Sequence, residues 1–311
     1  MTDRSLRLRQ ILGWMAVAAS TGVACLWAFW GINENFHEGW YLASVWQNLA
    51  LMLVQYLSPM LLVIGLSAAA LRWPRFALPL LLASALGCMW FFHRARVGAI
   101  FLVLLMLAPG ALYHFGRPEP RRWAWRCVIG LPLLTAAGFG IYPGWLAMHR
   151  FDDGNYSARL VDGNGLTLVW APEGPGWPQR GASWYQATEA CAHLTANGKT
   201  LALAPQNAWR LPTVDEAVRS LVFRGKNAGG VWDPVSHRAH YRTMPDKDSP
   251  LWKVHSKVIY WWTSTEEDAA RADYISNNGY VQLVPKKIRP GYLAYRCVTE
   301  PQISNAPNAP F

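Results

Sequence analysis

Apolar and polar positions divide the chain near residue 150 into two textures. In the first, five stretches carry no Asp, Glu, Lys or Arg: Ile11–Gly31, Ala43–Leu71, Phe76–Phe92, Val97–Phe115 and Cys127–Met148. Each is near or above the roughly 17–20 residues that cross a bilayer as a helix. A soluble protein burying five such helices would keep no polar faces for water. The pattern predicts an all-α membrane half, residues 1–150, of about five transmembrane helices. From Phe151 the apolar runs shorten and alternate. ARLVD (158–162) and LTLVW (166–170) predict a hairpin around Gly163-Asn164-Gly165. Ser183 with Gln186, and Thr213 with Glu216, form capping boxes that open two helices. Their inward faces are Ala187, Ala190, Cys191 and Leu194, then Val214, Ala217, Val218 and Leu221, and Pro212 marks the boundary of the second. Strands are predicted at 258–265, 272–276, 280–284 and 292–298. Residues 224–258 read as a long structured loop and 301–311 as a disordered tail, so the second domain covers 151–300.

Charge adds direction. The first 150 residues hold 12 Arg, no Lys and 4 acidic residues, whereas the rest nearly balances at 17 basic and 15 acidic. The high pI therefore reports Arg between apolar runs, not a basic stripe, and nucleic-acid binding is excluded as a reading. With the N terminus inside, Arg4, Arg7, Arg9, Arg72, Arg75, Arg117, Arg121, Arg122 and Arg126 fall on the inner side. Arg94, Arg96 and Arg150, with Glu34 and Glu38, fall outside. The positive-inside rule then puts the second domain outside the cytoplasm. Trp30, Trp40, Trp73, Trp90, Trp123 and Trp145 near the ends suit the headgroup region. No Asp, Glu, Lys or Arg lies within a stretch, which favours an anchor or assembly role over transport. Ala136, Gly140 and Gly144 form a small-residue stripe for a close helix contact, within the chain or between copies, with Pro143 inside it.

Six blocks in the second domain, GLTLVW, SWYQATEACAHL, WRLPTVDEAVRSL, YWWTST, ADYISNNGYVQL and YRCV, stand in an order that resembles the Lcl C-terminal domain family. That family, named after a collagen-like bacterial adhesin, is related to the formylglycine-generating-enzyme domains. The resemblance covers about residues 160–299. It implies a small α+β domain of C-type-lectin-like fold, with two helices against twisted antiparallel sheet and neighbouring termini, in a bacterial envelope. It does not imply one activity, because function on such folds resides in variable loops.

Cys191 and Cys297 are the two cysteines of this domain, while Cys25, Cys88 and Cys127 read as small apolar packers. An oxidising compartment favours a bridge, and the lectin-like fold implied by the resemblance sets such positions side by side. A metal pair or a nucleophile are the rival readings. The related oxidases use two closely spaced cysteines near the C terminus, where this chain has Cys297 alone. Trp209-Arg210-Leu211-Pro212-Thr213 reads as packing and capping, with Trp209 in the core and Arg210 in a buried pair with Glu216. Trp261 and Trp262 point to opposite faces of a strand, one into the core and one outward. His237, His240 and His255 with Asp233, Asp246 and Asp248 lack the ligand number and spacing of a zinc or calcium site, so neither metal nor cofactor is expected. As a ligand surface the same loop is richer. Trp232, His237, His240, Tyr241, Arg242 and Lys253 set aromatic faces beside donors, a mixture that suits sugar rings, acidic groups or another envelope protein.

The expectation is a non-enzymatic binding or sensing module in a bacterial inner membrane, with its second domain in the periplasm. The alternatives are an oxidase of the formylglycine-generating type or another enzyme in the outer domain, and a structural subunit of a membrane complex that meets partners through the fifth span.

Overall fold

The computed structural model describes residues 3–91 and 107–301. The chain divides into two compact units, Met1–Trp40 with Ser44–Ala147, and Tyr41–Ala43 with Met148–Phe311.

The first unit is helical. α1 covers Asp3–His37, and α2 (Val45–Leu51) runs through a π turn (Met52–Tyr56) toward α3 (Ser58–Arg72). α4 covers Ala77–Phe91, and residues 107–115 form α5. α6 (Arg121–Trp125), a π turn (Arg126–Gly130) and α7 (Leu131–Met148) continue as one helix of 28 residues. The five expected spans are thereby corrected. Among the described residues two helices are long and apolar enough to cross a membrane, Asp3–His37 and Arg121–Met148, or three if the bent α2–α3 pair counts as one. Proline accounts for the difference. Pro59 opens α3 just after a break where the axis turns by 63°, and Pro74 follows Trp73 at the end of α3. Trp73, before Pro74, leaves the helical region at φ −129° and ψ 70°. Pro59 has no N–H with which to continue the preceding helix's ladder, so within the run 43–71 apolar composition continues where the helix axis breaks. The 15 residues of α4 reach only about 22 Å at 1.5 Å per residue, short of a hydrocarbon core of about 30 Å. The expected span 97–115 falls partly outside the described residues, as do Arg94, Arg96 and nearly all of the expected tail 301–311.

Two apolar clusters hold this unit. Ala16, Val17, Ala70, Leu71, Ala77 and Tyr113 meet toward one end of α1, and Ala24, Ala28, Ile32, Leu57 and Met60 toward the other. The Arg117 amide donates to the Arg9 carbonyl at 2.7 Å. The Arg-rich start of α1 and the Arg-rich entry to α6 therefore lie together. A Cβ on Gly116 would sit 2.3 Å from the Gly13 nitrogen, so this crossing admits only glycine.

The second unit opens with β1 (Arg159–Gly163) and β2 (Leu166–Trp170), paired Gly163 to Leu166. Asn164 and Gly165 both take positive φ, 54° and 79°, the two-residue turn whose twist matches its strands. α8 (Trp184–His193) and α9 (Val214–Ser220) begin at Ser183 and Thr213, both with complete capping boxes. The segment expected as loop, with the two residues before it, contains two short hairpins, β3 (Val222–Phe223) with β4 (Lys226–Asn227), and β5 (Val231–Asp233) with β6 (Arg238–His240). β7 (Tyr260–Glu266), β8 (Arg271–Ser276) and β9 (Val281–Pro285) form an antiparallel meander.

The lectin-like expectation is corrected here as well. The strands form four small separate sheets, in the orders β1-β2-β11, β10-β7-β8-β9, β3-β4 and β5-β6. The run expected as one last strand splits into β10 (Leu293–Ala294), parallel to β7, and β11 (Val298–Thr299), antiparallel to β2. Between them Arg296 turns fully inward and Cys297 meets Cys191, which takes the chain from one sheet to the other. Core lies on both faces of β7. Trp261 stacks on Trp252 at 3.7 Å in one cluster, and Trp262 lies in the other with Trp209 and Tyr295. Both tryptophans are buried, so the expected outward one is corrected.

Candidate functional site

The hairpin β5–β6 carries most of the residues expected to bind a ligand, and the structure employs several of them in its own packing. Asp233 closes the loop by accepting from the Val235 amide at 2.9 Å and the Ser236 hydroxyl at 2.6 Å. These bonds hold its carboxyl below the usual range. Trp232 packs on the core, with the His237 ring edge-on to it at 5.0 Å. His237 Nε2 lies 3.0 Å from Asp273 Oδ1, whose side chain is 2% exposed. The Tyr241 hydroxyl donates to the Gly279 carbonyl at 3.1 Å, and burial pushes its phenol up. His240 and Arg242 remain exposed. Lys253 has other company: its ammonium pairs with Glu173 at 2.7 Å and lies 4.8 Å from the Tyr156 ring centre. The six residues thus divide into fasteners of the hairpin, two exposed groups, and a lysine paired elsewhere.

A different part of the unit is hollow. Residues 174–182 and 289–295 wall a cavity of about 580 Å³, whose polar lining includes Gln179, Arg180, Gln186, Arg289 and Tyr295. Glycine and proline shape it. Gly174 takes φ 141° and exchanges backbone hydrogen bonds with Trp177. Trp177 is buried over the Arg296 guanidinium, 3.6 Å from its ring centre. The Tyr295 hydroxyl donates to the Pro175 carbonyl at 2.9 Å, and the Cys297 amide to Gly176 at 2.8 Å. On the opposite side, a Cβ on Gly181 would stand 2.0 Å from the Pro290 carbonyl oxygen. The two strings cross there at van der Waals contact, and Arg289 Nε donates to the Gly181 carbonyl at 3.1 Å. Arg180 and Arg289 each sit one residue from that crossing.

The chemistry of the lining is one-sided. It includes two arginines and no carboxylate. Gln179 Oε1 is buried without a partner among the described residues, while Gln186 Oε1 accepts from the Ser183 amide. Burial pushes the Tyr295 phenol up to about 12, against the pull of the nearby Arg180 charge. Sequence reasoning missed this site. Its local signal was the run Gly174-Pro175-Gly176-Trp177-Pro178 ahead of a helix, but nothing local ties Arg180 to Arg289.

The remaining sequence-predicted groups have definite places. Cys191 and Cys297 form a disulfide with Cα atoms 5.6 Å apart, so Cys297 offers no thiolate. Arg210 grips Glu216 with two bonds of 2.7 Å and also reaches Glu300 at 2.6 Å. Its side chain is 41% exposed, which corrects the expected buried pair. Trp209 is buried, donates to the Thr195 carbonyl at 2.9 Å, and stands two residues before Leu211 and Pro212 lead into α9. In the first unit Gly140 and Gly144 face Ile32 and Phe36 of α1, and Ala136 packs on the cluster around Ile32. The small-residue stripe is occupied within the chain. His237, His240 and His255 form no three-ligand group with the nearby aspartates among the described residues. Glu34, His37 and Glu38, with ligand atoms within 4.8 Å of one another, do so at the end of α1. No family model, curated protein or solved structure matches the chain.

Proposed function

We propose that this chain is a membrane-anchored binding module of a bacterial envelope, whose disulfide-closed unit lies outside the cytoplasm and takes a ligand in the cavity between residues 174–182 and 289–295. The cavity carries the reading: a preformed hollow of about 580 Å³ with convergent polar groups is the usual form of a small-molecule site. The compartment is supported by the Cys191–Cys297 bridge, because such bonds persist where the surroundings oxidise. Three crossings, by α1, the bent α2–α3 pair and α6–α7, leave the Arg-rich N terminus inside and the second unit outside. The meeting of Arg9 with Arg117 fits this, since the segment between α3 and α6 then leaves and returns on the inner side. The ordered blocks that resemble the Lcl C-terminal domain family favour a bacterial envelope. The formylglycine-generating alternative loses the thiol it requires, and the subunit alternative loses the stripe it would have used.

Full-length protein in lipid nanodiscs is to be screened against peptidoglycan fragments, polysaccharides and peptides. The paired variant is Leu201→Trp, which fills the rim of the cavity from an exposed position. Saturable binding that this variant abolishes is the expected result. Binding indifferent to it, or silence from folded and disulfide-bonded protein, overturns the reading. Protease added to spheroplasts is expected to remove the second unit while sparing it in inverted vesicles.

A further inference from the structure

We infer that the cavity takes a small hydroxylated oxyanion, a sugar acid or sugar phosphate, with Arg180 and Arg289 as its charge clamp. The inference rests on the cavity reading above and adds the ligand class. It begins from how this unit treats its other cations. Arg150 pairs with Asp246, Arg159 with Asp153, Arg271 with Asp268 and Lys286 with Glu266. Other bases, Arg238, Arg242, Lys247 and Arg296 among them, are in no ion pair among the described residues. What sets Arg180 and Arg289 apart is that these two unpaired arginines share one cavity that no carboxylate lines.

Both arginines are exposed, but their backbone is fixed and one side chain is held. The Gly181–Pro290 crossing fixes the backbone beside each arginine, and the bond from Nε to Gly181 holds the Arg289 guanidinium. Its two terminal nitrogens have no protein acceptor among the described residues. A planar guanidinium with its fork unspent matches the paired oxygens of a carboxylate or phosphate. Ala182 and Gln186 bring the first turn of α8 to the same cavity, where the helix dipole adds positive potential.

A bare anion would leave the other polar side chains of the lining unanswered. Gln179 and Gln186 stand on the same cavity as the two arginines. Ligand hydroxyls beside the charge, which both donate and accept, give these amides partners. Leu201 and the prolines at 175 and 178 offer apolar contact to the carbon face of a ring. The volume accommodates one or two sugar units, or the acidic end of a longer chain.

The test uses full-length protein in nanodiscs and four probes: D-glucuronate, glucose 6-phosphate, glucose and inorganic phosphate. Calorimetry is run at low and at moderate salt, with wild type, Arg180→Gln, Arg289→Gln and Leu201→Trp. The expected result is binding of glucuronate or glucose 6-phosphate over both glucose and phosphate, weakened by salt. Each arginine variant is expected to lower affinity about tenfold or more, in line with loss of a charged hydrogen bond. Whichever of the two wins identifies the carboxylate or the phosphate as the source of the oxyanion. Glucose binding as tightly, unaffected by the arginine variants but lost in Leu201→Trp, overturns the anion and leaves the cavity reading standing. Phosphate binding as well as the sugars overturns the hydroxylated part. Failure of both charged sugars overturns the inference. If ligands from the broader screen also ignore Leu201→Trp, the cavity reading falls with it.

Discussion

Arg296, Lys247 and Lys286 are cations that the second unit shuts away from water, 0%, 1% and 2% exposed. Lys286 pairs with Glu266, whereas Arg296 and Lys247 are held by no salt bridge. Arg296 donates to the carbonyls of Ala171, Pro250 and Leu251 and stacks on Trp177, while Lys247 donates to the Ser256 carbonyl. Burial pulls both below their ordinary values. Beside Lys247, Asp248 ties down the entry to the unit by accepting from the amides of Phe151 at 2.7 Å and Arg224 at 2.6 Å. Burial outweighs those bonds and pushes its carboxyl up to about 6. A folded value above the unfolded one, about 3.9, sets the sign: the stability it contributes is full below pH 4 and lost as pH rises through about 6. Thermal unfolding of the second unit is therefore expected to show a fall in midpoint between about pH 4 and 6 that Asp248→Asn flattens. An identical slope in the variant would assign the titration elsewhere. Little at this scale was legible in the chain. Arg210 with Glu216 could be paired from a capping pattern six residues long. The partners of Arg296 lie 45 to 125 residues away, beyond the range of any local pattern.

Elements were more legible where a local rule forms them. Both capping boxes and the Asn164-Gly165 turn depend on neighbours within three residues, and they stand where the spacing placed them. Helix continuity in the first unit was less so, because apolar residues continue across Pro59 while the helix axis turns. The last strand failed for a related reason: YLAYRCV alternates like a strand, yet Arg296 and Cys297 are drawn inward between two sheets. The α1–α7 contact can be tested through its glycines. A Cβ at Gly144 would lie 3.2 Å from the Phe36 ring, whereas one at Gly138 meets nothing within 4 Å. Gly144→Leu is expected to destabilise the first unit by about 1–3 kcal/mol through overpacking, and Gly138→Leu to leave it unchanged, read by denaturant titration in detergent. Equal effects would show that the stripe is not a tight contact.

For the whole molecule, the longest covalent tie in the second unit is the bridge between Cys191 on α8 and Cys297 ahead of β11, a separation of 106 residues. In the chain-entropy description it stabilises that unit by about 4–5 kcal/mol. The double variant Cys191→Ser/Cys297→Ser is expected to lower the urea midpoint of this unit accordingly, followed by tryptophan fluorescence, while the first unit stays folded. A loss below about 1 kcal/mol would mean that the unfolded chain is already compact. The sequence by itself determined the division into an apolar helical half and a mixed second half, the two capped helix starts of the second unit and the first hairpin. Each follows from composition or from rules that act over a few residues. Tertiary structure alone decided which apolar runs are continuous helices, that Trp261 and Trp262 are both core, that Trp232, His237 and Tyr241 fasten a hairpin, and that Arg180 and Arg289 share a cavity. Those outcomes depend on which distant segments pack together, and a crossing such as Gly181 on Pro290 leaves no periodicity in the chain.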